Sequence, residues 1–168
     1  MNIILTGMRG SGKTSLGREL AQKLKWNFID IDQEIEKKIG ISINDFVYTK
    51  GWKDFRKQER KVTKYCATLD QTVIATGGGT LMDMENAKLL KKNGLVILLE
   101  CSLPTLKSNL EKSYLRPALT GANSAMEELE ELWKKRKKRY YEVADIIHDI
   151  NHWPNLDLLL AQVKKIKL

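Results

Sequence analysis

Apolar runs of five to seven residues alternate along this chain with stretches whose apolar residues recur at helical spacing. Ile31, Ile35 and Ile39, for example, share one face of a predicted helix. Strand–helix alternation with near-continuous apolar strands predicts a three-layer α/β/α fold, in which helices cover both faces of a five-stranded parallel sheet. The predicted strands are NIILT (2–6), NFIDI (27–31), TVIAT (72–76), GLVILLE (94–100) and DIIHDI (145–150).

The rest of the chain divides into helices and one polar loop. No linker or repeat interrupts it, so a single domain over residues 1–168 is expected. Residues 113–123 contain Pro117, Gly121 and Asn123 and predict a mobile loop. The predicted helices cover about 13–25, a stretch around Ile35, about 52–69, 83–92, 103–112 and 124–142, and a closing stretch with Pro154 near its first turn.

The sequence GMRGSGKT, residues 7–14, has the G-x-x-x-x-G-K-[ST] spacing of a phosphate loop, and it joins a predicted strand to a predicted helix. Its glycines let backbone N–H groups surround phosphate oxygens, and the helix N-terminus adds its positive dipole end. Lys13 is expected to reach the β- and γ-phosphates of a nucleoside triphosphate, and the Thr14 hydroxyl to bind Mg²⁺. The predicted nucleotide-binding residues here are Gly7, Gly10, Ser11, Gly12, Lys13, Thr14 and Ser15.

Two carboxylates, Asp30 and Asp32, come at the end of the second predicted strand. If the chain stays extended there, both point to one side of the sheet's carboxyl edge, where ligands of parallel sheets bind. One would hold the water shell of the metal, and the other would accept a hydrogen bond from a substrate hydroxyl. Alternatively, an aspartate caps the following helix, which explains one of the two more easily than both.

Two arginines are candidates for binding anionic groups. Arg56 lies three residues before Glu59 on a predicted helix, so Glu59 can hold the guanidinium as a bidentate receptor for a carboxylate. Arg116 lies in the mobile loop. Closure of that loop would exclude water and bring positive charge to a transferring phosphoryl group.

The formal charge of +8 favours anionic ligands without separating nucleic acids from phosphorylated small molecules. Much of it lies in KKRKKR, residues 134–139, directly after the acidic stretch EELEEL. Acids precede bases at i,i+4 spacing there, as in Glu131 and Lys135, and six consecutive helical residues point all round the axis. A mostly solvated helix is therefore expected, rather than a nucleic-acid surface.

Two further features bear on location. The longest purely apolar stretch, LVILL at 95–99, is too short to cross a membrane, and MNIILTG runs into the first strand without a signal-peptide pattern. Cys66 and Cys101 are interpreted as buried thiols rather than as a disulfide or metal site. A cytoplasmic protein that does not bind a membrane is expected.

Six stretches follow one another along the chain: GMRGSGKTSLGRELA, FIDID, GWKDFRKQE, VIATGGGT, LRPAL and RKKRYYEVAD. Together they resemble the shikimate kinase family over nearly the whole chain, in the family's order. Other phosphate-loop proteins would not also carry D-x-D, F-R-x-x-E and T-G-G-G in sequence. The resemblance implies a P-loop kinase fold with strand order 2-3-1-4-5 and a lid at 113–123. It also implies transfer of the γ-phosphoryl group of ATP to the 3-hydroxyl of shikimate, with Mg²⁺ as cofactor; a monomer is expected.

The resemblance assigns acceptor-side roles, two of them within a substrate-binding region at about 32–60. Asp32 would be a catalytic residue that binds the hydroxyls of shikimate, while Arg56 and Arg136 would bind its carboxylate. The three consecutive glycines at 77–79, called the glycine run below, would let a hydroxyl-rich ring approach bare backbone. Their strand should lie beside the first strand and end next to the phosphate loop. The substrate-binding residues of this run are Gly77, Gly78 and Gly79, chiefly Gly78.

Nucleotide-side roles follow in the same way. Lys13 and the lid residue Arg116 would be catalytic, because they offset the charge of the phosphates. Asp30 would lie by the metal with Thr14, and Pro154 would cover one face of the adenine.

The chain also departs from the family's usual pattern. Trp52 stands where the family usually has Glu, Lys138 replaces a proline, and the lid reads RPA instead of RPL. Asn109 replaces an arginine that stacks on adenine. Two alternatives remain: another small-metabolite or nucleotide kinase of the same fold, and a non-catalytic module that binds nucleic acid through its basic helix.

Overall fold

The computed structural model of the protein describes residues 1–112, 125–151 and 155–167. The predicted lid at 113–123, with Arg116, lies outside the described residues, and so does Pro154.

Five parallel strands form one sheet in the order β2-β3-β1-β4-β5, which confirms the predicted sheet and strand order. The three middle strands are buried along almost their whole length, because helices cover both of their faces. At the edge, β5 alternates buried and exposed residues. The strands are β1 Asn2–Thr6, β2 Asn27–Asp30, β3 Thr72–Ala75, β4 Gly94–Glu100 and β5 Ile146–Asp149.

Helices follow the strands in the predicted alternation. A short 3₁₀ helix, Thr80–Met82, comes directly after the glycine run. The α-helices are α1 Lys13–Leu24, α2 Ile31–Ile39, α3 Ile43–Cys66, α4 Met84–Lys92, α5 Leu103–Lys112, α6 Ala125–Val143 and α7 Leu156–Lys167.

Helix α3 differs most from its prediction, because it begins at Ile43 instead of near residue 52. The Ser42 hydroxyl caps this earlier start by accepting a hydrogen bond from the backbone N–H of Asp45 at 3.1 Å. Gly51, with φ 80° and ψ 166°, then kinks the helix, because this backbone conformation is not helical. The helical pattern after the kink was recognisable, whereas the shorter segment before it was not.

Apolar side chains pack on both faces of the sheet. Ile3 and Leu5 of β1 join one cluster, which α1 and α7 cover, while Ile4 joins the other, which α2, α3 and α4 cover. Because successive strand residues point to opposite faces, one strand serves both clusters. The three-layer arrangement leaves the carboxyl ends of the strands as the edge where polar residues collect.

Candidate active site

The phosphate loop joins the end of β1 to α1 at this edge. Gly7, Gly10 and Gly12 have φ values of 144°, 84° and 75°, which side-chain-bearing residues rarely adopt. Helix α1 begins with Gly12 as its N-cap, without a side-chain cap, so its first N–H groups are directed to the loop's concave side. Such a site binds phosphate oxygens through backbone donors and the helix dipole.

Lys13 folds back over the loop. Its ammonium group donates to the carbonyl oxygens of Gly7 at 3.0 Å and Met8 at 2.8 Å, and to the hydroxyl of Ser11 at 3.4 Å. These contacts place the positive charge beside the loop, where phosphates would exchange for the carbonyl oxygens.

Asp30 links the second strand to the phosphate loop. Its Oδ2 accepts a hydrogen bond from the Thr14 hydroxyl at 2.7 Å, and its Oδ1 accepts from the backbone N–H groups of Asp32 at 3.0 Å and Gln33 at 3.4 Å. Asp30 is therefore the N-cap of α2. Of the two alternatives for this aspartate pair, helix capping applies to Asp30, and the chain is not extended through Asp32, because this cap starts the helix at Ile31.

The Thr14–Asp30 pair suits a magnesium ion. A hydroxyl and a carboxylate oxygen are the hard oxygen ligands that Mg²⁺ prefers, and Mg²⁺ usually keeps several waters besides one or two protein ligands. Within the described ranges, no group of three or more His, Cys, Asp or Glu side chains is placed to hold a metal ion. The Thr14 hydroxyl and the Asp30 carboxylate can supply the protein ligands of such an ion.

The glycine run lies beside the phosphate loop, as predicted. Thr76, at the end of β3, donates both its N–H and its hydroxyl to the carbonyl oxygen of Leu5 at 3.0 Å each, which ties the start of the run to β1. A Cβ on Gly78 would lie 3.6 Å from the carbonyl oxygen of Gly7. The backbone of the glycine run and that of the phosphate loop are therefore neighbours.

Each glycine of the run faces a different predicted site residue. All three side chains end within a few ångströms of the run, although they come from three different helices. An ideal Cβ would lie 2.6 Å from Asp32 Oδ1 on the first glycine, 3.0 Å from Arg136 Nη1 on the second and 2.7 Å from Arg56 Nη2 on the third. The missing side chains make room for one carboxylate and two guanidinium groups around the same backbone.

Glu59 holds Arg56 in place, as expected from their spacing. Its carboxylate accepts from Arg56 Nη1 at 2.5 Å and from the Thr80 hydroxyl at 2.8 Å, and Glu59 is only 1% exposed. The Arg56 guanidinium carbon also lies 5.5 Å from the Trp52 ring centroid and 5.3 Å from that of Phe55. Two aromatic rings and a buried carboxylate fix the orientation of this cation.

Tyr140 is fully buried, and its hydroxyl makes polar contacts beside the glycine run. Its hydroxyl donates to the carbonyl oxygen of Gly78 at 2.6 Å, and it feels the positive charge of the Arg136 guanidinium. Burial raises the pKa of Tyr140, and the Arg136 charge opposes the shift only in part, so the hydroxyl keeps its proton. A tyrosine one helical turn after a site arginine was the available signal.

The basic stretch of α6 behaves largely as predicted. Lys135 pairs with Glu131 at 3.6 Å on a solvated face, whereas Arg136 reaches the glycine run. Arg139 donates to the carbonyl oxygen of Leu81 at 3.2 Å, in the 3₁₀ helix after the run. The side chains of α6 that face inward therefore support the site.

Both cysteines are free and buried, as expected. Burial raises the pKa of Cys66 from 9.0 to about 12 and that of Cys101 from 9.0 to about 11, so both are thiols at neutral pH. Across the described part of the chain, no helix is both long and apolar enough to span a bilayer.

Comparison of the chain with known proteins identifies the family to which it belongs. The family model of shikimate kinase matches residues 9–167. The chain belongs to the shikimate kinase family. Among curated relatives, shikimate kinase from Alkaliphilus oremlandii is 38% identical over 152 residues, which cover 90% of each chain. Shikimate kinase from Sulfurihydrogenibium is 40% identical over 139 residues, or 83% of this chain and 82% of the relative.

Solved structures of the shikimate kinase family agree in fold. Shikimate kinase from Acinetobacter baumannii, solved in complex with shikimate, superposes with a TM-score of 0.91 at 33% identity and covers 99% of this chain and 94% of that one. The enzyme from Bacteroides thetaiotaomicron gives a TM-score of 0.87 at 27% identity, covering 99% and 97%.

Proposed function

We propose that the protein transfers the γ-phosphoryl group of ATP to the 3-hydroxyl of shikimate, giving shikimate 3-phosphate and ADP. The observation that supports this most strongly is the glycine run, where Asp32, Arg56 and Arg136 converge beside a phosphate loop. A ring that carries one carboxylate and several hydroxyls matches that set. A relative of 33% identity was solved with shikimate bound.

On the acceptor side, Arg56 and Arg136 bind the carboxylate of shikimate from two directions. Glu59 accepts from Arg56 through Nη1, and Nη2 lies next to the glycine run, where a carboxylate would bind. The glycine run lets the ring lie against main chain, and Asp32 accepts a hydrogen bond from the reacting hydroxyl. Holding the reactants in this way lowers the entropic part of the barrier.

In the transfer step, the 3-hydroxyl oxygen forms a bond to the γ-phosphorus, and the bond from that phosphorus to the β,γ-bridging oxygen breaks, releasing ADP. The hydroxyl proton passes to Asp32. Because this transition state is loose, the protein contributes mainly by positioning and by offsetting charge. We assign the charge-offsetting role to Lys13 and, from the lid, to Arg116.

Magnesium is proposed as the cofactor that accompanies ATP. Thr14 and Asp30 would hold it, and when bound it neutralises part of the phosphate charge. Pro154 is proposed to cover one face of the adenine ring of ATP.

We further propose that the protein acts as a monomer in a reducing cytoplasm, with ATP and shikimate as its partners and without nucleic acid or membrane. Its two free thiols are buried, which suits that compartment. Light scattering on the purified chain would test the monomer; a stable mass of twice the chain mass would contradict it.

The function is tested by coupled ADP release with shikimate, with gluconate, with a nucleoside monophosphate and with no acceptor. ADP release should require shikimate, and Asp32→Asn should lower kcat by about 10²-fold or more. Asp54→Asn, which removes an exposed carboxylate paired with Lys57 at 2.7 Å, is the matched control and should leave kcat unchanged. Turnover of gluconate or the nucleotide but not shikimate would refute the acceptor. Salt-dependent nucleic-acid binding without ATP turnover would favour a binding module.

A further inference from the structure

Helix α5 packs directly against the phosphate loop at Gly10. A Cβ on Gly10 would lie 3.0 Å from Leu110 Cγ and 3.1 Å from the carbonyl oxygen of Leu106. Both distances are shorter than ordinary van der Waals contacts. The loop backbone at Gly10 therefore packs against α5 without room for a side chain between them.

Asn109 makes a hydrogen bond across this contact. Its Nδ2 donates to the carbonyl oxygen of Gly10 at 2.9 Å, in a partly buried position. A carbonyl oxygen accepts only from a donor, so the amide nitrogen must face the loop and the side-chain orientation is set by chemistry. The bond joins residues 99 positions apart in the chain.

The bond controls which way a loop carbonyl points. A phosphate loop attracts anions through N–H groups, and a carbonyl oxygen turned into the loop would repel them. The carbonyl oxygens of Gly7 and Met8 accept hydrogen bonds from the Lys13 ammonium group. The carbonyl oxygen of Gly10 accepts one from the Asn109 side chain. The Gly10 carbonyl group is therefore held toward α5 by the side chain of Asn109, which lies outside the loop.

We infer that Asn109 is a positioning residue for the nucleotide: it keeps the Gly10 carbonyl turned away from the bound phosphates and so sets nucleotide affinity. This inference rests on the proposed use of ATP at the phosphate loop. It gives position 109 a role through the loop backbone rather than through contact with the base.

The test is equilibrium binding of ADP by calorimetry, without acceptor, on the full chain. Asn109→Ala removes the donor, and alanine favours the helix, so α5 should stay intact. ADP should therefore bind about two- to tenfold more weakly. Asn109→Asp keeps the size but faces the Gly10 carbonyl with an acceptor, so the loss should be about tenfold or more. Ser108→Ala, next to it on α5, is the control and should bind ADP like the wild type.

Steady-state kinetics provide the second readout. The KM for ATP should rise by the same factor as the ADP Kd in both Asn109 variants, while the KM for shikimate stays within about twofold of the wild type. Wild-type ADP affinity in Asn109→Ala, with only a lower Tm, would overturn the inference in favour of a merely structural contact. Because ADP binding needs no acceptor, this result is independent of whether shikimate is the substrate.

Discussion

Alanine substitutions along the glycine run should separate the roles of the three side chains around it. None of the three glycines lies in the left-handed region, so alanine costs little backbone strain there. The new Cβ would instead enter space next to Asp32 at 2.6 Å, Arg136 at 3.0 Å and Arg56 at 2.7 Å, in chain order. Each variant therefore displaces one site residue without changing the chemical identity of that residue.

The size of the effect follows from these distances. Carbon normally approaches oxygen or nitrogen no closer than about 3.4 Å, so each neighbour must move by several tenths of an ångström. Such overpacking costs about 1–3 kcal/mol. If the displaced side chain gives way, this cost falls on acceptor binding or turnover, which corresponds to about five- to 150-fold.

The three variants should differ in kind. Gly79→Ala and Gly78→Ala displace guanidinium groups, so they should raise the KM for shikimate, with the larger rise at Gly79 because its contact is shorter. Gly77→Ala displaces the Asp32 carboxylate and should mainly lower kcat. The KM for ATP should change by less than about twofold in all three. Initial rates with both substrates varied, and a thermal melt, supply the numbers.

A matched control lies at the opposite edge of the sheet. Gly94→Ala brings a Cβ to 2.6 Å from the carbonyl oxygen of Leu90 and 2.8 Å from Ile4, a comparable intrusion far from the acceptor. It should lower Tm and leave both KM values unchanged. Equal increases in both KM values for the glycine-run variants, together with a Tm loss like that of the control, would show that the run has a folding role only.

Three further results are expected. Tyr140→Phe keeps the packing but leaves the partly buried carbonyl of Gly78 without its donor, so the KM for shikimate should rise about five- to 30-fold. An unchanged KM would contradict the positioning of that backbone by the hydroxyl. Glu59→Gln weakens a charge-assisted bond to Arg56 and should raise the KM for shikimate about tenfold in initial-rate assays, more than the KM for ATP; Gln58→Ala should change neither. Thiol titration should destabilise the fold at high pH. Because burial raises the pKa of Cys66 to about 12 and of Cys101 to about 11 from 9.0, the unfolded chain binds fewer protons above pH 9, and the free energy of unfolding should fall from there to about pH 12. In urea melts, a Cys66→Ala/Cys101→Ala double variant should show a smaller fall than the wild type, and an equal fall would refute this origin.

The parts of the fold that depend on neighbouring residues could be predicted from the sequence. The phosphate loop is a local motif, and its glycines at 7, 10 and 12 have the positive φ angles that require glycine. The three middle strands were recognisable because their apolar runs stay buried between helices. The first third of α3 was missed, because Gly51 interrupts its helical pattern after only two turns.

The parts of the site that depend on distant residues could not. Asp30 combines a helix cap with the hydrogen bond from Thr14, and only the path of the chain after β2 shows which carboxylate caps. That each glycine of the run meets a separate side chain depends on helices up to about 60 residues away. Tyr140 and Asn109 also act on backbone carbonyls far along the chain, and no sequence spacing records such partners.

The most direct test of the proposed reaction follows the phosphoryl group itself. ATP labelled with ³²P in the γ position is incubated with the protein and shikimate, and the products are separated. The label should appear in shikimate 3-phosphate in an amount equal to the ADP formed, and neither product should form without shikimate. Label in inorganic phosphate at the same rate with and without shikimate, or in any other acceptor in preference to shikimate, would contradict it.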